Sequence, residues 1–204
     1  GSGHILVYAF DVLMEIYLEC GYSERDAAVS IAENNLFGLD IDKRAYQLAY
    51  FSLMMKVRSH NRRALSRGVE CNVAAIEESN IIKGFYCSGL TDDEEQNRTG
   101  EYLVEFYRDA KETGSMLKSK SIDIEGFSRY IEDIEQRDDQ IDFDGVSWLE
   151  NTLPLVKKLA AQHEILTGRY SVVCTNPPYM NKYDANLKKF VKDNYKDYSS
   201  DLFS

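Results

Sequence analysis

Proline is scarce: three occur in 204 residues, and two of them, Pro177 and Pro178, are adjacent. No run of about 18 apolar residues exists, so no segment is suited to span a membrane. The most apolar stretch, Ile5 to Leu18, is interrupted by Asp11 and Glu15. No basic region precedes it, so it does not read as a signal peptide. The four cysteines, Cys20, Cys71, Cys87 and Cys174, form no C-x-x-C pair. They are expected to be reduced and buried in a cytoplasmic protein, with no zinc site. No G-x-G-x-x-G occurs, which sets aside a nicotinamide-dependent Rossmann enzyme. Positive charge is also short, with 24 Lys and Arg against 34 Asp and Glu, a net charge of −10. Phosphate contacts need a basic footprint, so this balance argues against a broad nucleic-acid surface within the chain.

What is present is ordinary globular composition, 44% hydrophobic and 28% charged. The length suits one domain with a sub-domain. Gly1-Ser2-Gly3 opens an apolar segment, Ile5 to Cys20, that reads as a helix buried on all sides and stopped by Gly21. Ser23 and Asp26 resemble a capping box for a helix running to about Asn35. "LFGLD", Leu36 to Asp40, reads as a buried strand ending in acid. Asp42 then caps a helix with apolar positions at Ala45, Leu48, Ala49, Ser52 and Leu53. Val69 to Ile76 is a second strand, again followed by acids, Glu77 and Glu78.

Beyond Asn80 the pattern turns acidic and helical. Thr91 and Glu94 look like another capping box, and helices are expected at about 102–114, 122–136 and 146–166. Arg169 to Thr175 returns to strand. Helices alternating with strands imply a parallel sheet covered on both faces. Ligands of such sheets sit at the carboxyl ends of the strands.

Three features would meet there. Gly1-Ser2-Gly3 gives glycines for close approach and a helix N-terminus with free N–H groups, although a Gly-Ser start also fits a cloning remnant. Asp40 could accept the hydroxyls of a ribose, or cap the following helix, a role that suits Asp42 better. Glu77 and Glu78 are either site acids or a solvated turn. A fourth feature is Asn176-Pro177-Pro178-Tyr179. The Asn176 side-chain oxygen and the Pro177 carbonyl are two acceptors, and the proline rings fix their direction. Tyr179 offers a face for a planar ring. Together they suit an exocyclic amine, whose poorly nucleophilic nitrogen gains electron density when both its N–H groups donate.

At these residues the sequence resembles the amino-group DNA methyltransferases that use S-adenosyl-L-methionine. Asn176–Tyr179 matches their Asp/Asn-Pro-Pro-Tyr/Phe motif, and Gly1-Ser2-Gly3 looks like the second half of their cofactor motif. "NNLFGLDIDKRAYQLAYFSLMMK", "IEESN", "VVCTNPPYM" and the helical insertion with "DAKETGSML" resemble adenine-specific methyltransferases of BREX phage-defence systems. The resemblance implies an α/β, Rossmann-like fold, incomplete because the first strand is missing, with a mostly helical insertion. It divides the chain into a cofactor-binding part (1–79), the insertion (80–168) and a catalytic part (169–204). It implies cofactor contacts from Gly1, Ser2, Gly3, Asp40, Ile41 and Glu78, with Glu77 as the rival to Glu78, and catalysis by Asn176, Pro177, Pro178 and Tyr179 without a metal. The implied partner is double-stranded DNA with a flipped adenine, read by a recognition domain outside this chain that would carry the missing positive charge. Defence-system proteins are further implied partners. The motif alone is shared with methyltransferases acting on RNA guanine and on protein glutamine, so those substrates, and a non-catalytic binding module, stand as alternatives.

Overall fold

The computed structural model describes residues 1–136, 142–175, 189, 190, 192 and 193. The chain divides into two compact units, the first made of residues 1–77 and 160–166, the second of residues 78–159 and 167–204.

The first unit begins with α1, His4–Glu19. Gly3, at φ 81°, turns the chain into it, and Val7 N–H donates to the Gly3 carbonyl at 2.9 Å. Gly21 takes the left-handed conformation that ends it, at φ 88°. The N–H groups of Gly21 and Tyr22 bond back to the Leu18 and Tyr17 carbonyls, each at 3.0 Å, the paired closure of a Schellman motif. Ser23 caps α2, Glu24–Ser30, through Asp26 N–H. The last turn widens to a π-helical stretch, Ile31–Asn35, before the strand β1, Phe37–Asp40. Asp42 caps α3, Lys43–His60, by accepting from Arg44 N–H at 2.7 Å. The chain then forms β2, Asn72–Ala75, parallel to β1 and in register from Phe37↔Asn72 to Asp40↔Ala75. Asn72 Nδ2 reaches back to the Glu33 carbonyl at 2.6 Å, which ties the middle of the π-helical stretch to the sheet.

The core of this unit is built from Phe10 and Met14 of α1, Ala27 and Ala28 of α2, Ile31, Leu36, Ala49, Leu53, Met54, Val57 and Val73. Two expectations change here. α1 is not buried all round: Tyr8, Val12, Ile16 and Leu18 are exposed, while Leu6, Ala9, Leu13 and Tyr17 pack partly against the core. Apolar side chains on every face do not by themselves bring a neighbour to every face. On α3 the buried stripe runs through Ala49, Leu53 and Val57, spaced four apart, and Leu48 lies outside it, half exposed.

The second unit is helical. Its elements are α4 (Glu94–Phe106), α5 (Ala110–Thr113), α6 (Ile124–Glu135), α7 (Phe143–Asn151) and α8 (Leu153–Thr167), whose residues 160–166 belong to the first unit. Asp93, not Thr91, caps α4, accepting from the N–H groups of Glu95 and Gln96 at 3.0 Å each. Thr91 is fully buried and closes the 87–91 turn, where its hydroxyl accepts from Cys87 N–H at 2.7 Å. The helix expected at 102–114 is broken at Asp109, whose φ of 51° is left-handed. That expected at 146–166 divides at Thr152, two residues before Pro154. In the first turn of α8 the missing proline N–H has no intrahelical partner to lose. The core joins the rings of Phe85, Phe127 and Trp148, and Leu103, Val104, Ile131 and Ile134 are also buried.

Residues 169–175 form no strand and pair with neither β1 nor β2; Val172 and Val173 are exposed. A β-strand exists through its ladder, and among the described residues the sheet holds two strands only.

Candidate cofactor site at the strand ends

β1 and β2 run parallel, so their carboxyl ends lie side by side; Asp40 is the last residue of β1, and Glu77 and Glu78 follow β2 after Ile76. Beyond the last register pair the ladder continues by one rung: Ile76 N–H donates to the Asp40 carbonyl at 2.8 Å. Asp40 is one-fifth exposed, and its carboxylate accepts from Asp42 N–H at 2.8 Å. This bond turns the chain from β1 into α3. The first turn of α1 packs against β1, where a Cβ on Gly38 would stand 3.2 Å from Leu6 Cδ1.

At that start no side chain caps α1. Its first N–H groups face outward with the positive end of the helix dipole. Gly3 cannot be exchanged freely, since a Cβ there would stand 2.6 Å from Ala49 Cα and its φ is left-handed. This glycine therefore lets α1 pack closely onto α3. Ser2 Oγ lies 3.3 Å from His4 Nδ1, and Ile41 is half exposed between Asp40 and Asp42. An acid for a diol, uncapped N–H groups and glycines for close approach suit a nucleoside-type ligand.

The acids after β2 have separate fates. Glu78 Oε1 accepts from Lys111 N–H, at the start of α5, at 3.1 Å, a partner 33 residues away in sequence. Glu77 is held by its main chain: its N–H donates to Gln162 Oε1 at 2.7 Å and its carbonyl accepts from Gln162 Nε2 at 3.0 Å. Gln162 is 1% exposed and its neighbour His163 is fully buried. Burial lowers the His163 pKa to about 4, so its imidazole is neutral at pH 7. Sequence reasoning missed Gln162. The available signal was a glutamine set among the apolar residues of "LAAQHEIL".

A groove of ≈ 550 Å³ is lined by Ser2, His4, Val7, Tyr8, Asp11, Leu48 and Ser52. It runs along α1 and α3 from Ser2, which it shares with the strand-end site, and Asp40 does not line it. The expectation of four buried cysteines is corrected as well: Cys71 and Cys87 are buried, but Cys20 and Cys174 are exposed. Cys20 follows the last turn of α1 on its uncovered side, and Cys174 lies in the 169–175 segment that joins no sheet. Asn176, Pro177, Pro178 and Tyr179 lie outside the described residues. Among the described residues no helix is long and apolar enough to cross a membrane.

Residues 34–204 match the Eco57I restriction-modification methylase family, and the chain belongs to that family. It is 38% identical over 211 residues to "Adenine-specific methyltransferase PglX" of Lacticaseibacillus casei (strain Zhang), a match covering 100% of this chain and 17% of the relative. It is 33% identical over 228 residues to "Adenine-specific methyltransferase BrxX" of Escherichia coli O9:H4 (strain HS), covering 100% of this chain and 19% of that protein. The chain thus spans less than a fifth of the length of either relative.

Proposed function

We propose that this chain is the catalytic core of an adenine-N6 DNA methyltransferase that uses S-adenosyl-L-methionine, within a phage-defence or restriction-modification system. The observation that carries the reading is the placement of Asp40 at the carboxyl end of β1, beside the end of β2 and with the uncapped first turn of α1 packed against the strand, in a chain that also holds Asn-Pro-Pro-Tyr. The names of the two relatives and the family support the same chemistry.

When bound, S-adenosyl-L-methionine supplies a methyl group made electrophilic by its sulfonium sulfur. Asp40 would accept the ribose hydroxyls, and Gly1, Ser2, Gly3 and Ile41 would line the approach, with Glu77 or Glu78 toward the adenine end. The acceptor adenine has its amine paired inside a duplex, so it must leave the stack. Tyr179 would stack the extruded base. The Asn176 side-chain oxygen and the Pro177 carbonyl, directed by the rigid Pro177-Pro178 pair, would accept the two N–H groups of N6 and turn its lone pair toward the methyl carbon. Orientation of the two reactants supplies most of the acceleration. The acidic surface of the chain leaves duplex reading to other parts of the protein.

Asn176→Ala is expected to abolish methyl transfer while donor affinity stays within about threefold of wild type. Transfer of labelled methyl to DNA, RNA and protein, with calorimetry for donor binding, tests both halves. Full activity of Asn176→Ala ends the assignment. Transfer to RNA or to protein glutamine in place of DNA would move the substrate while keeping the chemistry. A protein that does not bind the donor would be a non-catalytic module.

A further inference from the structure

We propose that Gln162 is a positioning residue for methyl-donor binding, acting through the main chain of Glu77. The inference rests on the reading of the strand ends as the donor site.

A primary amide enclosed in protein is costly unless its oxygen and nitrogen both find partners. Gln162 satisfies both on one residue, since Glu77 donates through its N–H and accepts through its carbonyl. The side chain therefore behaves as a short piece of neighbouring strand. It takes over where the sheet stops: β2 ends at Ala75, Ile76 bonds the Asp40 carbonyl, and Glu77 bonds Gln162. With it, the residue that carries the first acid and leads into the second is held one step from the rung made by Asp40. A nucleoside that uses Asp40 at one end and a β2-end acid at the other requires those two points at a fixed separation. Gln162 supplies that spacing from α8, 85 residues further along the chain.

The test uses the full-length protein with S-adenosyl-L-methionine as the probe. Gln162→Met keeps length and bulk but removes both bonds. Gln162→Glu keeps the acceptor and loses the donor while ionised, and regains an O–H donor when protonated. Val57→Ala serves as a control with a cavity in the core of the same unit. Gln162→Met should raise the donor Kd at least tenfold, with kcat at saturating donor within about threefold of wild type. Gln162→Glu should fall between, its Kd approaching wild type as pH drops from 8 toward 5. Val57→Ala should leave Kd within twofold at a comparable loss of unfolding stability. If Gln162→Met does not fold, the pH profile of Gln162→Glu decides alone. A Kd within twofold for the folded Met variant, a flat pH profile for the Glu variant, or an equal shift from Val57→Ala overturns the positioning role. Absence of donor binding by the wild type overturns the functional reading itself and this role with it.

Discussion

Gly100→Ala sets two effects of opposite sign against each other. Gly100 lies inside α4, where alanine is favoured over glycine by ~1 kcal/mol on conformational grounds. Here, however, the new Cβ would stand 2.3 Å from Cγ and Cδ1 of Phe85 and 2.6 Å from Cδ2. Carbon atoms in contact sit at about 3.5–4.0 Å, so ring and helix must part by about 1 Å or more. The ring has little room to retreat. Phe85 is fully buried, its centroid is 5.4 Å from Phe127 and 5.5 Å from Trp148, and its carbonyl accepts from Trp148 Nε1 at 2.9 Å. Overpacking of this kind costs ~2–3 kcal/mol. After the gain in helix propensity the net loss is ~1–2 kcal/mol. Trp148 is the sole tryptophan and touches the strained ring, so its emission is a direct reporter during denaturant unfolding. Phe85→Leu in the same background should relieve the overlap, giving a coupling energy of ~1 kcal/mol in the double-mutant cycle. A Gly100→Ala variant more stable than wild type, with unchanged tryptophan emission, would refute the packing of α4 on Phe85.

Two further outcomes follow from burial. The His163 pKa is lowered to about 4 in the folded protein and lies near 6.5 in an unfolded chain. Both states are neutral above pH 6.5; as pH falls toward 4 the unfolded chain takes up the proton first. Stability should therefore drop by up to ~3 kcal/mol over that interval. Urea unfolding across pH, with His163→Gln flattening the profile, checks the sign; a rise in stability on acidification through this window would contradict it. Cys20 and Cys174 are exposed, whereas burial, with Glu33 adding, pushes the Cys71 thiol up to about 12 and burial also raises Cys87. A thiol reagent should label two cysteines of the native chain quickly and the other two only on denaturation.

The parts legible in the sequence are those set by near neighbours. Ser23 and Asp42 cap the helices they were expected to cap, and strands expected at 36–40 and 69–76 appear as 37–40 and 72–75. The acid at the end of β1 could be read because strand, acid and helix cap follow within six residues. What failed depended on distant partners. The apolar pattern of α1 could not say which faces would be covered. Thr91 and Asp93 are both good cap residues, and the burial of Thr91 in its own turn decided between them. The valines at 172 and 173 promised a strand, but a strand needs a neighbour to pair with. Beyond β2, the bonds from Lys111 to Glu78 and from Gln162 to Glu77 span 33 and 85 residues, out of reach of any local pattern.

The bond between Glu77 and Gln162 also bears on how this chain tolerates change in length. The first unit is left after Glu77 and re-entered at Ala160, and the residues beside those two points are held at 2.7 Å. A segment whose departure and return are fastened together closes on itself whatever its size. Loop-closure entropy grows only slowly with length, by ~0.6 kcal/mol for each doubling. Residues 78–159 can thus vary in size at small entropic cost while β1, β2, Asp40 and Glu77 keep their spacing.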